Sequence, residues 1–235
     1  MKRSVPYLAV LAALLALGVT FAAARPAFMN IKQMAAEADV VFVGTVRQIT
    51  EEPNDAGLPT TVVGFDIGQV LKGKSQLADP SVVELRFAGG ADGARRLRVS
   101  HVPRFAVGER LVVFTRYDGQ AYASPIIGLN QGLFRVKTEP ATGKDYVVDY
   151  GGNALLHAPN GVRIGDVILP NAQGRFEAVT PAASPAVPAP HSADPQRLRI
   201  DGARPIPRGT TNRAQLMTLA DFIAYLNPLC HGDGQ

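Results

Sequence analysis

Cysteine is almost missing from this 235-residue chain: there is one, Cys230. A single thiol excludes an intramolecular disulfide framework and any multi-cysteine zinc or iron–sulfur site. Tryptophan is absent, aromatic residues make up 7% and charged residues 19%. The low charge content, set against 46% apolar residues, excludes a charge-rich disordered chain and leaves material for a core. The formal charge of +4 includes Lys2 and Arg3, which lie in an export pattern described below. The remaining excess is too small to point to nucleic acid.

The common catalytic and ligand-binding signatures are also missing. The four histidines, His101, His157, His191 and His231, are far apart in sequence, and no His-Glu-x-x-His occurs. There is no Gly-x-Ser-x-Gly elbow. The Gly89–Gly93 stretch lacks the Lys-Ser/Thr of a phosphate loop and precedes a strand pattern, so it reads as a flexible connection. Asp and Glu show no calcium-loop spacing. Ser100 and His101 are adjacent on an expected strand, which points them to opposite faces. These absences predict no catalytic residue, no cofactor and no metal. A pocket joining His101 with Asp66 or Glu84 is the arrangement an enzyme would need.

What is present begins with an address. Met1-Lys2-Arg3 is a positive head, Val5 to Ala24 runs without a charge, and Ala22 and Ala24 place small residues at −3 and −1. This is the pattern of a secretory signal, predicting cleavage after Ala24 and a secreted or periplasmic protein starting at Arg25. Kept uncleaved, the same run would just span a bilayer. No later run is long and apolar enough to span.

Beyond it, Asn30 and Gln33 form a capping-box pattern that predicts a helix over Ile31 to Ala38. Val40–Ile49, Thr60–Leu71, Val82–Phe87, Leu97–Ser100, Arg110–Arg116, Ala121–Ile127, Gly132–Lys137 and Tyr146–Asp149 read as strands. Glu51–Pro59 reads as a loop, Asp118-Gly119 as a hairpin turn, and Leu155–Pro170 as a weaker hairpin. Gly44 within the first strand suggests a bulge or a close backbone approach. From Ala178 to Pro195 there are five Pro and six Ala, a composition that predicts an extended linker. After it, Leu219, Phe222, Ile223 and Leu226 fall on one helical face capped by Thr218, and Pro228 is expected to end that helix at Asn227. The expected division is signal 1–24, β domain 25–177, linker 178–195 and a C-terminal segment 196–235 with a helix over 218–227.

The segments PAFMN, ADVVFVGTV, TTVVGFDIGQVLKGK, VVELRF and GERLVVFTRYDGQAY, in that order over residues 26–127, resemble the netrin-like module shared by tissue inhibitors of metalloproteinases. The resemblance implies an all-β fold with minor α: a small oligonucleotide-binding-type β-barrel with a short N-terminal helix and a C-terminal amphipathic helix. It also implies a protein partner, an extracellular metalloprotease among the options. In those inhibitors an N-terminal cysteine grips the protease zinc; here Arg25-Pro26 stands at that point. The contact residues expected on this reading are Arg25, Pro26 and Phe28 at the N-terminus, and Arg95, Arg96 and Arg98. The arginines form either an anionic-partner surface or a solvated strand face. The function expected is an exported, non-enzymatic binding module. A structural protein docked to the envelope through its linker and C-terminal helix is the alternative, and an enzyme of unrecognised type is the third reading.

Overall fold

A computed structural model describes residues 29–93, 95–159, 161–179 and 213–231. The described residues open on α1 (Ile31–Glu37), where both bonds of the capping box form. Gln33 N–H donates to Asn30 Oδ1 at 2.9 Å and Asn30 N–H donates to Gln33 Oε1 at 3.0 Å. At its other end Lys72 Nζ donates to the Ala35 and Ala36 carbonyls, which have no helical partner.

Next come β1 (Val40–Pro53) and β2 (Pro59–Lys72), a long hairpin. Both strands run further than expected. Glu51, Glu52 and Pro53 pair with Thr61, Thr60 and Pro59, so the loop is only residues 54–58. Polar side chains are tolerated there because this end of the ribbon is largely exposed. Asn54 Oδ1 closes the loop by accepting from the Ala56 and Leu58 amides. The β1–β2 register shifts three times, once between Val43 and Gly44. A Cβ on Gly44 would sit 3.0 Å from both the Asp66 carbonyl and the Phe42 ring, so the close approach expected at Gly44 is present.

β3 (Val82–Ala88) alternates cleanly, burying Val83, Leu85 and Phe87 and exposing Glu84 and Arg86. The Gly89–Gly93 stretch is not a simple connection. Gly89 and Gly90 take φ of 100° and 136°, and the chain makes β4 (Gly90–Asp92) and β5 (Arg95–Leu97), a separate two-stranded ribbon. The strand expected over Leu97–Ser100 therefore ends where it was expected to begin. Ser100 and His101 lie in a turn, His101 with φ 65°.

β6 (Arg110–Thr115) matches its expected place. The turn at Asp118-Gly119 forms, with Gly119 at φ 76°, but Ala121–Ile127 is not a strand. It returns along β6 with a single bridge, Thr115 to Ile126, because Pro125 has no N–H to give a ladder. β7 (Leu133–Thr138), β8 (Asp145–Val148), β9 (Asn153–Ala158) and β10 (Gly161–Pro170) follow. β11 (Phe176–Val179) pairs with β10 and carries the sheet two residues into the expected linker. The rest of that linker lies outside the described residues.

The nine long strands form one sheet in the order β11-β10-β9-β8-β7-β6-β1-β2-β3, every neighbour antiparallel. The described residues are thus mostly β with two α-helices. Both faces of the sheet's middle are covered, which explains why Val40 to Val43 are buried without alternation. One face packs Phe42, Phe65, Leu85 and Phe87 with Phe105 and Ile126. The other packs Val41, Val43, Phe114 and Phe134 under α1 and α2 (Leu219–His231).

α2 reaches the sheet through an unusual junction. β8 and β9 pair only at Val148 and Ala154. Met217 spans them beyond that point: its N–H donates to Leu155 O at 2.8 Å and its carbonyl accepts from Val147 N–H at 3.1 Å. Thr218 and Asp221 then cap α2, with Asp221 N–H donating to Thr218 Oγ1 and Thr218 Oγ1–H to Asp221 Oδ2. Phe222 anchors the helix on Phe134, ring centroids 5.2 Å apart. Pro228 does not end the helix, which runs to His231. A proline there forfeits a single N–H, while Leu229 and Cys230 in the added turn pack on the core.

Candidate functional site

A cavity of about 730 Å³ lies between α1, β7, β10, α2 and the turns before β7 and after β8. Its size falls within the range of small-molecule sites, about 300–1,000 Å³. Five separated segments build it, and local contacts hold them in place. Met29 N–H donates to Gln131 Oε1 at 2.8 Å, tying the lead-in of α1 to the turn before β7. That turn holds Gly128 at φ 63° and Leu129 at φ 70°, and Ser124 Oγ–H donates to the Leu129 carbonyl at 2.7 Å.

The β8–β9 turn is an Asx-type turn. Asp149 accepts from the Asn153 backbone amide at 2.8 Å and from its side-chain amide at 2.8 Å. This sets Tyr150 at the cavity wall. The Tyr150 ring lies 4.4 Å from the Arg135 guanidinium carbon, and Tyr150 Oη accepts from Arg104 N–H at 3.1 Å. Arg135 also donates to Glu109 and to the Tyr150 carbonyl, so the wall is braced from behind.

β10 supplies Val162, Arg163 and Ile164, and α2 supplies Tyr225. Tyr225 closes against Gly161, whose φ of 121° and missing side chain admit it. A Cβ there would stand 2.9 Å from the tyrosine oxygen. Burial pushes the Tyr225 phenol pKa up, so the group stays protonated.

The wall is apolar with a charged margin. Lys32 and Arg163 line the cavity, and neither has an ion pair or hydrogen bond among the described residues. The carboxylate of Asp149 is committed to Asn153. The lining contains no Ser, Thr, Cys or His. What these groups can do is exclude water, enclose an apolar body and attract an anion.

Those of the expected site residues that are described lie elsewhere. Arg95 and Arg96 are exposed on β5, and Arg98 is exposed just past it. Arg95 is paired with Asp92, and Arg110, further along the basic run, with Asp145 at 2.6 Å. Arg96 and Arg98 have no partner among the described residues. Ala22, Ala24, Arg25, Pro26 and Phe28 lie outside the described residues. His101 makes no hydrogen bond to Asp66 or Glu84, and Asp66 faces Arg47 at 3.9 Å. No group of three or more His, Cys, Asp or Glu among the described residues is placed to hold a metal ion. Among those residues no helix is long and apolar enough to cross a membrane. Cys230 is half-buried on the apolar core, and burial pushes its thiol pKa up against the opposing influence of Lys72.

Sequence reading missed the cavity. Lys32, Gln131, Arg163 and Tyr225 share no spacing pattern, and only the fold brings them together.

One other buried polar site ties the C-terminal segment down. Glu139, after β7, has a fully buried side chain, and burial alone would raise its pKa. The Thr142 hydroxyl, the Arg213 guanidinium and the Phe176 amide donate to it and hold the pKa down at about 2.

Neither a protein-family model nor a curated protein sequence matches the chain.

Proposed function

We propose that the chain is an exported, non-enzymatic binding module and that the cavity beside α1 is its ligand site. The observation that carries this reading is the cavity itself: largely apolar walls, a braced turn, two cations without a partner among the described residues, and no Ser, Thr, Cys or His in the lining. The secretory pattern over residues 1–24 supports action outside the cytoplasm. The scaffold read here is the oligonucleotide-binding-type barrel that the netrin-like resemblance implies. The three register shifts along the β1–β2 hairpin, and an aromatic core on the β1–β3 side, support it.

The test is native mass spectrometry on protein recovered from the exported fraction. The native chain is expected to carry an additional small mass, and Ile164→Trp, which fills the cavity, is expected to lose it. Identical masses for both, with no thermal shift on adding exported small molecules, would end this reading.

A protein partner is the second reading, favoured by the exposed Arg96 on β5 and Arg98 just past it, which have no partner among the described residues. An extracellular metalloprotease is one such partner. Capture of a partner from the exported fraction that is lost in Arg96→Glu/Arg98→Glu supports it. Capture that does not depend on either arginine or on residues 25–28 counts against it.

A further inference from the structure

The margin of the cavity carries more information than its size. Lys32 enters from the first turn of α1 and Arg163 from β10, so two elements distant in sequence each deliver a cation to one hollow. Elsewhere on the surface arginines mostly find carboxylates: Arg86 meets Glu52 at 2.7 Å, Arg110 meets Asp145, and Arg213 meets Glu139. Lys32 and Arg163 meet none among the described residues. The one carboxylate in the lining, Asp149, accepts three hydrogen bonds from Asn153 and is thereby turned to its own loop. The rest of the wall is mostly apolar, with Ile31, Met34, Phe134, Val162, Ile164 and the tyrosine rings, beside the uncharged polar Asn30, Asn130 and Gln131. An apolar hollow with a net positive margin is complementary to a molecule that is apolar over most of its length and negative at one end.

We propose that the cavity takes a single-chain anionic amphiphile as a free monomer, with its apolar chain against Ile31, Val162 and Ile164 and its anionic head held by Lys32 and Arg163. This rests on the cavity being the ligand site. The guanidinium can hold a carboxylate by two parallel N–H donors, while the ammonium acts as a point charge. The apolar chain supplies most of the affinity, and the two cations select the head.

The experiment uses the full mature chain from Arg25 and three probes of one chain length: decanoate, decanol and decyltrimethylammonium. Each is titrated by calorimetry below its micelle threshold. Decanoate is expected to bind at one per chain and about tenfold tighter than decanol, with decyltrimethylammonium weakest. Lengthening the carboxylate by one methylene is expected to tighten binding about two- to fourfold. Lys32→Gln and Arg163→Gln are expected to cost decanoate about three- to tenfold each and to leave decanol unchanged.

Equal affinity for decanoate and decanol overturns the head assignment but leaves the binding module standing. Binding only after residues 25–28 are removed overturns the proposal in favour of the chain's own lead-in as occupant. Association only with anionic phospholipid vesicles, and not with monomers, overturns it in favour of a membrane surface. No binding of any probe in any form overturns both this proposal and the ligand-site reading beneath it.

Discussion

At the scale of single residues, two contacts decide more than their neighbours. Glu139 is a buried carboxylate held ionised by three donors from three parts of the chain, Thr142, Phe176 and Arg213. Its folded pKa of about 2 lies below its ordinary 4.5. The stability it contributes is therefore complete above the ordinary value and is lost as pH falls from about 4.5 toward 2. Glu139→Gln is expected to lower the urea midpoint at pH 7 by an amount equivalent to about 2 kcal/mol. It should also flatten the decline of that midpoint between about pH 4.5 and 2, because the titrating group is gone. Gly161 is the second. With φ 121° and Tyr225 Oη in the space of a side chain, Gly161→Ala combines backbone strain with a clash. A loss of about 2 kcal/mol in chemical denaturation is expected, with weaker ligand binding because the cavity wall moves. Neither residue stood out in the sequence. A lone Glu and a lone Gly carry no pattern, and their partners lie on distant segments.

At the scale of elements, legibility followed packing. β3 was readable because one face is buried and one exposed, and α1 because its cap is a local motif. β1 was readable from its β-branched content, although its burial does not alternate. β4 was not, since Gly-Ala-Asp has no strand propensity and is held by the Thr61 hydroxyl donating to the Gly89 carbonyl and by its ribbon partner. Ala121–Ile127 reads as strand by composition, yet the backbone donor missing at Pro125 leaves it one bridge. α2 overran its expected end because apolar contacts by Leu229 and Cys230 outweigh one missing hydrogen bond at an exposed proline. Pro228→Ala restores that donor, and a gain of about 1 kcal/mol, read as a rise of a few degrees in melting temperature, is expected. Asp221→Ala removes the cap bonds to Thr218 and the contact with His157 at 3.4 Å, and a loss of about 1 kcal/mol is expected at neutral pH. The element-level signals were local and the sheet order was not: β1 lies beside β6, which no spacing in the sequence announces.

At the scale of the whole molecule, the C-terminal segment completes the sheet and covers one of its faces. Met217 supplies the backbone groups that link β8 and β9 beyond their single pair, and Phe222 and Leu226 are fully buried on the sheet. Truncation before Arg213 would leave the Val147 amide and Leu155 carbonyl without these partners and would uncover Phe134. The truncated chain is expected to bind a hydrophobic dye and to melt without a sharp transition by circular dichroism, and the intact chain is expected to melt cooperatively. The charge was available from sequence because it is a sum. The cavity was not, because it belongs to the assembled whole.

The residue that stitches β8 to β9 is made after every strand it joins. A nascent chain can form the β1–β2 hairpin while it is still being synthesised, but it cannot finish the sheet until its closing stretch has emerged. The wall that Tyr225 gives the cavity arrives at the same late moment. On the ligand-site proposal, competence to hold a ligand therefore waits for the segment made after the strands, and a chain that stops short of Tyr225 has no finished pocket to fill.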